Sequence, residues 1–434
     1  MVKKIVLSII SLAILIGLSV WGFMYYKRLQ SFDIEIPKQA DRVIRLNVEQ
    51  MGKKLISTDF SAKKGKKERG NGIDIPFNIF AFGIKGLPHH CLFVKLAIAD
   101  QKDFEAWLGR DFKAEASQVY THKSKLFSCV YNKKHLVMIS SKELTDTVLT
   151  VAKGFLEEKE VISFEKSSLY TIRASEADIA MDGSWGSGSL NFEPGALNAE
   201  LITNGYTKEA TKLYVPKNAS LAILSSENPA RLLHALGLEQ RKDTAVSYPD
   251  FQACFQNEFA LFVDGEVQQS EKIVQYVFDD NFEKVAVSET VQKPVPNIFF
   301  YAYLNNTEQV KILRDNKLLY GTDSFNKAMF PLFDLKYGIN TANLFSLYSG
   351  TQAVQGYSMP EQTTLMPDEV LKAWCTVDKI AQMAAFKELK TYLKPFRRLS
   401  LTGALKDKDK TVYTLKLSFA DTQKSSLKQL LDLF

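Results

Sequence analysis

The side chains best suited to chemistry are few. Histidine occurs five times, and His89, His90, His122 and His135 all fall in the first half beside Cys91 and Cys129. Imidazole and thiolate are donors that suit zinc and copper. The spacing matches no zinc signature, and neighbouring residues of a strand point to opposite faces, so His89-His90-Cys91 does not converge on one ion. These residues read as packed or exposed side chains, with no metal and no cofactor assigned. Cys91, Cys129, Cys254 and Cys375 lack the spacing of a disulfide framework. They read as single thiols on apolar strands, with one bridge, Cys91–Cys129, left open if the chain folds outside the cytoplasm.

Hydrolytic chemistry finds no motif. Gly183-Ser184-Trp185-Gly186-Ser187-Gly188 does not read Gly-x-Ser-x-Gly in any register and is a Gly/Ser loop before a hairpin. There is no phosphate loop, dinucleotide fingerprint or His-Glu-x-x-His. Asp279-Asp280 and Asp407 with Asp409 are carboxylate pairs typical of turns. A glycosidase pair drawn from distant segments leaves no local signature, so that alternative stays open. In Phe299-Phe300-Tyr301-Ala302-Tyr303 both faces of a strand are aromatic or apolar, as in a strand buried on two sides. The other reading of that strand is a lipid- or glycan-binding groove. No catalytic residue is assigned.

The elements that must position these residues begin with Ile5–Tyr26, a run without a charge. As a helix it rises about 33 Å, enough to cross the hydrocarbon core. It is too long for the apolar part of a signal peptide, and no small-x-small site follows. Trp21, Tyr25 and Tyr26 suit the interface. Residues 1–4 form a short tail whose Lys3 and Lys4 keep the amino terminus inside, and residues 27–35 form a linker. The bulk then lies outside the cytoplasm, in a periplasm, on a single-pass signal anchor. The formal charge of +6 is held by the flanks of this run and by the basic stretch Lys63–Arg69, so the body is near neutral. That stretch reads as a solvated loop, with anionic lipid headgroups as its alternative contact. Nucleic acid is excluded, because no aromatic residues are interleaved with the basic ones.

Ile36-Pro37-Lys38-Gln39-Ala40 returns as Val215-Pro216-Lys217-Asn218-Ala219, and Leu87-Pro88 is echoed by Val295-Pro296. Each proline is expected to open a strand, since it lacks the ladder donor. A capped helix is expected after Asp100 and after Asn306, and Ser140-Ser141-Lys142-Glu143 reads as a capping box. Ile44 and Ile223 are expected inside. The reading is an α+β fold: two similar mixed strand/helix units in tandem, residues 36–210 and 211–434, behind one transmembrane helix. The two echoes differ in spacing, so the second unit must carry an insertion, placed at 237–292.

Ile36-Pro37-Lys38 with Val43-Ile44-Arg45-Leu46-Asn47, then Gly72-Ile73-Asp74 ahead of Phe80-Ala81-Phe82, carry a resemblance. Leu415-Lys416-Leu417-Ser418-Phe419 followed by Ser426-Leu427 adds to it. The pattern resembles a family of membrane-anchored extracytoplasmic proteins of Bacteroidetes-type bacteria, a domain of unknown function. The resemblance implies no known activity and no catalytic residue. The expected function is a non-enzymatic, membrane-tethered module that binds a partner protein or an envelope component such as a lipid or glycan. The alternative is an envelope hydrolase whose site is assembled from distant residues.

Overall fold

The computed structural model describes residues 24–56, 70–116, 119–204, 213–230, 252–278, 282–327, 330, 332–351, 361–407 and 409–433. Strand accounts for 48% and helix for 23%, which corrects the α+β expectation: antiparallel sheet dominates. The helices are short, six to eleven residues at most where they pack on the sheets, as in Val377–Gln382 and Gln101–Asp111. The anchor read at Ile5–Tyr26 lies, up to residue 23, outside the described residues. Residues 24–30 are helical. Among the described residues no helix is long and apolar enough to cross a membrane.

The chain divides into two compact units, Met1–Glu193 with Ala199–Leu201, and Pro194–Asn198 with Ile202–Phe434. The first holds β1 (Glu35–Pro37), β2 (Ala40–Asn47), β3 (Ile73–Asp74), β4 (Asn78–Ile84), β5 (Leu92–Ile98), β6 (Phe112–Ala116), β7 (Val119–His122), β8 (Ser128–Tyr131), β9 (His135–Ser140), β10 (Val161–Ser163), β11 (Ile179–Gly183) and β12 (Gly186–Glu193). β2 pairs with β4 on one edge and β11 on the other. From β4 the sheet continues through β5, β9, β8, β7 and β6. β1 pairs apart from it, with β10.

Alternation along these strands feeds two cores, as the two-residue period requires. Phe93, Val137 and Ile139 pack with the helix Asp146–Leu156 and with Phe164, Leu169 and Ile172. Leu96, Leu136 and Cys129 face Phe104 and Leu108 of the helix Gln101–Asp111. Asp100 caps the latter helix, accepting from the Asp103 N–H at 2.9 Å. The other helix starts later than its apparent capping box: Thr145, not Ser140 or Ser141, accepts from the Val148 N–H.

The second unit follows β13 (Ala196–Asn204) with β14 (Val215–Pro216), β15 (Leu221–Ser225), β16 (Phe255–Phe278), β17 (Lys284–Leu304), β18 (Leu319–Tyr320), β19 (Ser324–Phe325), β20 (Lys336–Ile339), β21 (Leu344–Tyr348), β22 (Gln362–Thr363), β23 (Glu369–Thr376), β24 (Phe396–Asp407) and β25 (Lys410–Phe419). Here β15 lies between β16 and β23. The sheet continues from β16 through β17, β21, β20, β19 and β18, while β14 pairs apart with β22. The two units thus share a strand order: a central strand, a neighbour on each side, five further strands beyond one neighbour, and a short proline-bearing strand paired elsewhere. The prolines sit differently from the expectation. Pro37 and Pro216 end the short strands β1 and β14, and Pro296 lies inside β17 beside a register shift rather than at its start.

The units differ most between their second and third sheet strands. In the first, Phe82 and Phe93 are the last pair before a short connection. In the second, β16 and β17 stay paired out to Phe278 and Lys284. This hairpin falls largely within residues 237–292; of that span, residues 237–251 and 279–281 lie outside the described residues.

Candidate functional site

The first unit carries a cleft of about 680 Å³. β4 and β5 supply its floor, with Phe77, Ile79, Phe80, Phe82 and Phe155 among the lining side chains. Lys27, Asp33, Glu35 and Asp74 stand around it, all exposed. Two of these come from the helical stretch and the short linker that precede β1, so the cleft lies where the chain enters the unit.

At one end of the cleft, Lys95, His135 and Glu158 form a charged cluster. Lys95 opposes Val137 in the β5–β9 ladder and His135 opposes Ala97, so Lys95 and His135 are diagonal neighbours on one sheet face. The Lys95 ammonium donates to Glu158 Oε1 at 2.9 Å and lies 5.5 Å from the Phe155 ring centroid. His135 Nδ1 is 3.9 Å from the same oxygen. Glu158 follows the helix Asp146–Leu156 at φ 58°, a left-handed conformation that non-glycine residues rarely adopt. Its hydrogen bond from Lys95 holds its carboxyl below the usual carboxylate range. Burial, then the Lys95 charge, push the His135 imidazole below the ordinary histidine range.

A general acid for glycoside cleavage needs a carboxyl whose proton affinity is raised. Among the described residues every carboxyl with a displaced affinity is displaced downward. The cluster instead offers a fixed anion and a fixed cation beside an aromatic floor. Replacing Lys95 by methionine removes the nearest positive charge and frees Glu158 for His135. The His135 titration followed by NMR then moves upward from its wild-type position. An unchanged titration shows that Lys95 does not govern this end of the cleft.

The residues singled out by type lie elsewhere, His135 excepted. His89 and His90 are exposed in the turn after Pro88. His122 stacks on Phe127 and shares a hydrogen bond with Ser124 Oγ at 2.7 Å. Among the described residues no group of three His, Cys, Asp or Glu side chains gathers as metal ligands would. None of the four cysteines is in a disulfide. Cys91 packs in one core of the first unit and Cys129 in the other, so the Cys91–Cys129 bridge is ruled out by the sheet between them. Burial pushes the Cys129 thiol up to about 12. The Gly183–Gly188 stretch is itself the tight turn of the β11–β12 hairpin, with Gly183 paired to Gly186. Lys95, Glu158 and Asp74 carry no motif and were missed. The only local sign was an apolar run, Phe77–Phe82, interrupted by the single polar residue Asn78, with Asp74 upstream and Lys85 downstream.

The fold and the cleft define a predominantly antiparallel-β protein of two units with corresponding strand order, the first bearing an aromatic cleft with a charged end. Compared with protein-family models, curated proteins and solved structures, the chain finds no match in any of the three.

Proposed function

We propose that this chain is a membrane-tethered, non-enzymatic module of the cell envelope, and that its first unit holds a partner segment or envelope component in the cleft. The observation that carries the reading is the cleft's make-up: an aromatic floor, with both signs of charge fixed at one end by the Lys95–Glu158 pair. Binding sites combine apolar contact area with a few oriented polar groups in this way. The tether is read from the charge-free run Ile5–Tyr26. The resemblance to anchored extracytoplasmic proteins points in the same direction. Because the cleft takes Lys27 and Gln30 into its wall, a ligand there sits close to the membrane end of the chain. An amphipathic component, apolar in the middle and charged at one end, suits both the cleft and that position.

The test places a photo-crosslinking amino acid at Ile79 in the full chain, in the cells that make it. The expected result is a discrete adduct, lost when Lys95 and Glu158 exchange for Met and Gln together. A control label at exposed Tyr392 of the second unit gives none. Equal labelling from both positions, or none from Ile79, overturns the reading. Turnover of an envelope polymer that survives in the double variant also counts against it.

A further inference from the structure

The second unit ends one side of its sheet in an arm. The base of β16 and β17 is held: Gln269 donates to the Asp334 and Ser349 carbonyls at 2.7 Å each, and Glu266 accepts from the Ala384 N–H at 2.7 Å. Beyond Gln269 the ladder runs on from Ser270↔Gln292 to Phe278↔Lys284, a further reach of about 25–30 Å at the rise of a strand. β15 pairs with β16 only at Phe259–Val263, and β21 with β17 only at Phe299–Tyr303. Among the described residues no strand pairs with either edge of the arm.

The arm is also apolar where it is most exposed. Val274, Tyr276 and Phe278 share one face and are 53%, 67% and 65% exposed; Phe282 at the end is 85% exposed. Ile273, Val285 and Val287 lie exposed on the other face. An isolated two-stranded ribbon is marginal in water, and a long unpaired edge is a template for another strand. Natural edges are usually blunted by charge, proline or a bulge. Between Val285 and Gln292 this one carries a single charge, Glu289.

We infer that the arm is an interface between two copies of this chain, joined antiparallel along β17 about a two-fold axis at Ser288. The β17 sequence is self-complementary at that register. Val285 meets Val291 of the second copy, Ala286 meets Thr290, Val287 meets Glu289, Ser288 meets itself, and Glu283 meets Lys293. No like charges oppose, and the whole span Lys284–Gln292 is strand in both copies. Lys293 already reaches Glu271 within the arm, 3.4 Å away, so each end of the interface becomes a small ion-pair network. The other edge fits less well. A comparable overlap on β16 centres on Val274, sets Lys272 against Tyr276 and Ser270 against Phe278, and brings no opposite charges together. Pairing converts two marginal ribbons into one four-stranded sheet and buries one arm's β-branched edge on the other. A membrane is a poorer occupant, since Asp279, Asp280 and Glu283 lie within three residues of Phe282 in the sequence and an open hairpin leaves edge groups unsatisfied in hydrocarbon.

The full-length chain with Ser288→Cys, mildly oxidised, should become chiefly a disulfide-linked dimer. Wild type, whose own four thiols lie elsewhere, and Val274→Cys should stay unlinked. Lys293→Glu sets Glu283 against a like charge at both ends, so the dissociation constant read by light scattering rises about tenfold. Glu283→Lys added to it restores the dimer. A monomer at every concentration overturns the inference, as does cross-linking through Tyr276→Cys in place of Ser288→Cys. Binding of the monomer to zwitterionic vesicles, abolished by Phe282→Asp, likewise assigns the arm to lipid and overturns it.

Discussion

Replacing Phe164 by alanine is expected to lower the stability of the first unit by about 3–5 kcal/mol, the scale for deleting a buried aromatic ring from a core that cannot fully collapse. Phe164 is fully buried in a short 3₁₀ turn. Its ring centroid lies 5.0 Å from Phe80, 5.9 Å from Phe82 and 5.4 Å from Tyr170, each edge-on. Edge-to-face contacts add to area burial, so the loss removes three of them at once. Phe80 and Phe82 also floor the cleft. The same substitution therefore loosens the binding surface from behind, without touching a ligand. Amide hydrogen exchange at Leu136–Ile139, deep in the same unit, reads the effect locally and avoids assuming one transition for the whole chain. Exchange there should accelerate by two to three orders of magnitude, at roughly tenfold per 1.4 kcal/mol. Phe164→Leu should recover most of it. Equal exchange in Phe164→Ala and wild type means the cluster is not the support of this sheet.

Why this core was half legible follows from periodicity. Strands β2, β4 and β5 pack against both neighbours, and their residue types alternate or run apolar as buried strands do. The outward-pointing detail was less secure. Ile44 and Ile223 were expected inside, but the buried positions are Val43 and Leu224, with Ile44 and Ile223 half-exposed. A slip of one residue exchanges the two faces, and two adjacent β-branched or aliphatic residues give no sign of which side faces the larger core. The arm was illegible for a related reason. From Ser270 to Gln292 both faces mix polar and apolar residues, so no two-residue period stands out, and the segment read as an insertion of unspecified form. The carboxylates of Asp279-Asp280 between two β-branched runs were the available hairpin signal. The cleft had no sequence signature because its walls come from separate stretches: residues 27–35 at and before β1, the β3–β4 segment, β5, the start of β9, and the end of the helix Asp146–Leu156 with the turn after it. Only the sheet brings Lys95 and Glu158 together. The excess of strand over the α+β expectation has the same origin, since β16, β17, β23, β24 and β25 are longer than their apolar cores alone indicate.

Arg45→Met is expected to destabilise the first unit nearly as much as loss of the Phe164 ring, though among the described residues no carboxylate pairs with Arg45. Arg45 lies on the central strand β2, opposite Ala180 of β11 and Phe80 of β4, and is almost fully buried. Its guanidinium donates to the carbonyls of Ile172 at 3.1 Å, Ser175 at 2.5 Å and Ala177 at 3.2 Å, with Arg173 at 3.4 Å. These are the groups that end the 3₁₀ segment Ser168–Ala174 and start the run into β11. Burial lowers the affinity of Arg45 for its proton, so the cation is tolerated only because a fan of oriented carbonyl dipoles faces it. Methionine fills much of the volume but leaves those acceptors unmet, at about 1–3 kcal/mol for each one that water cannot reach. The contributions do not add fully, since the segment can shift, and a total of about 3 kcal/mol is the expectation. Arg45→Lys separates charge from geometry. One ammonium cannot span four carbonyls as a planar fork does, so lysine should recover less than half of the loss by denaturant midpoint. Recovery close to wild type shows that a buried positive charge alone suffices. An unaltered midpoint in Arg45→Met shows that the segment after Ser168 holds its place without this cap.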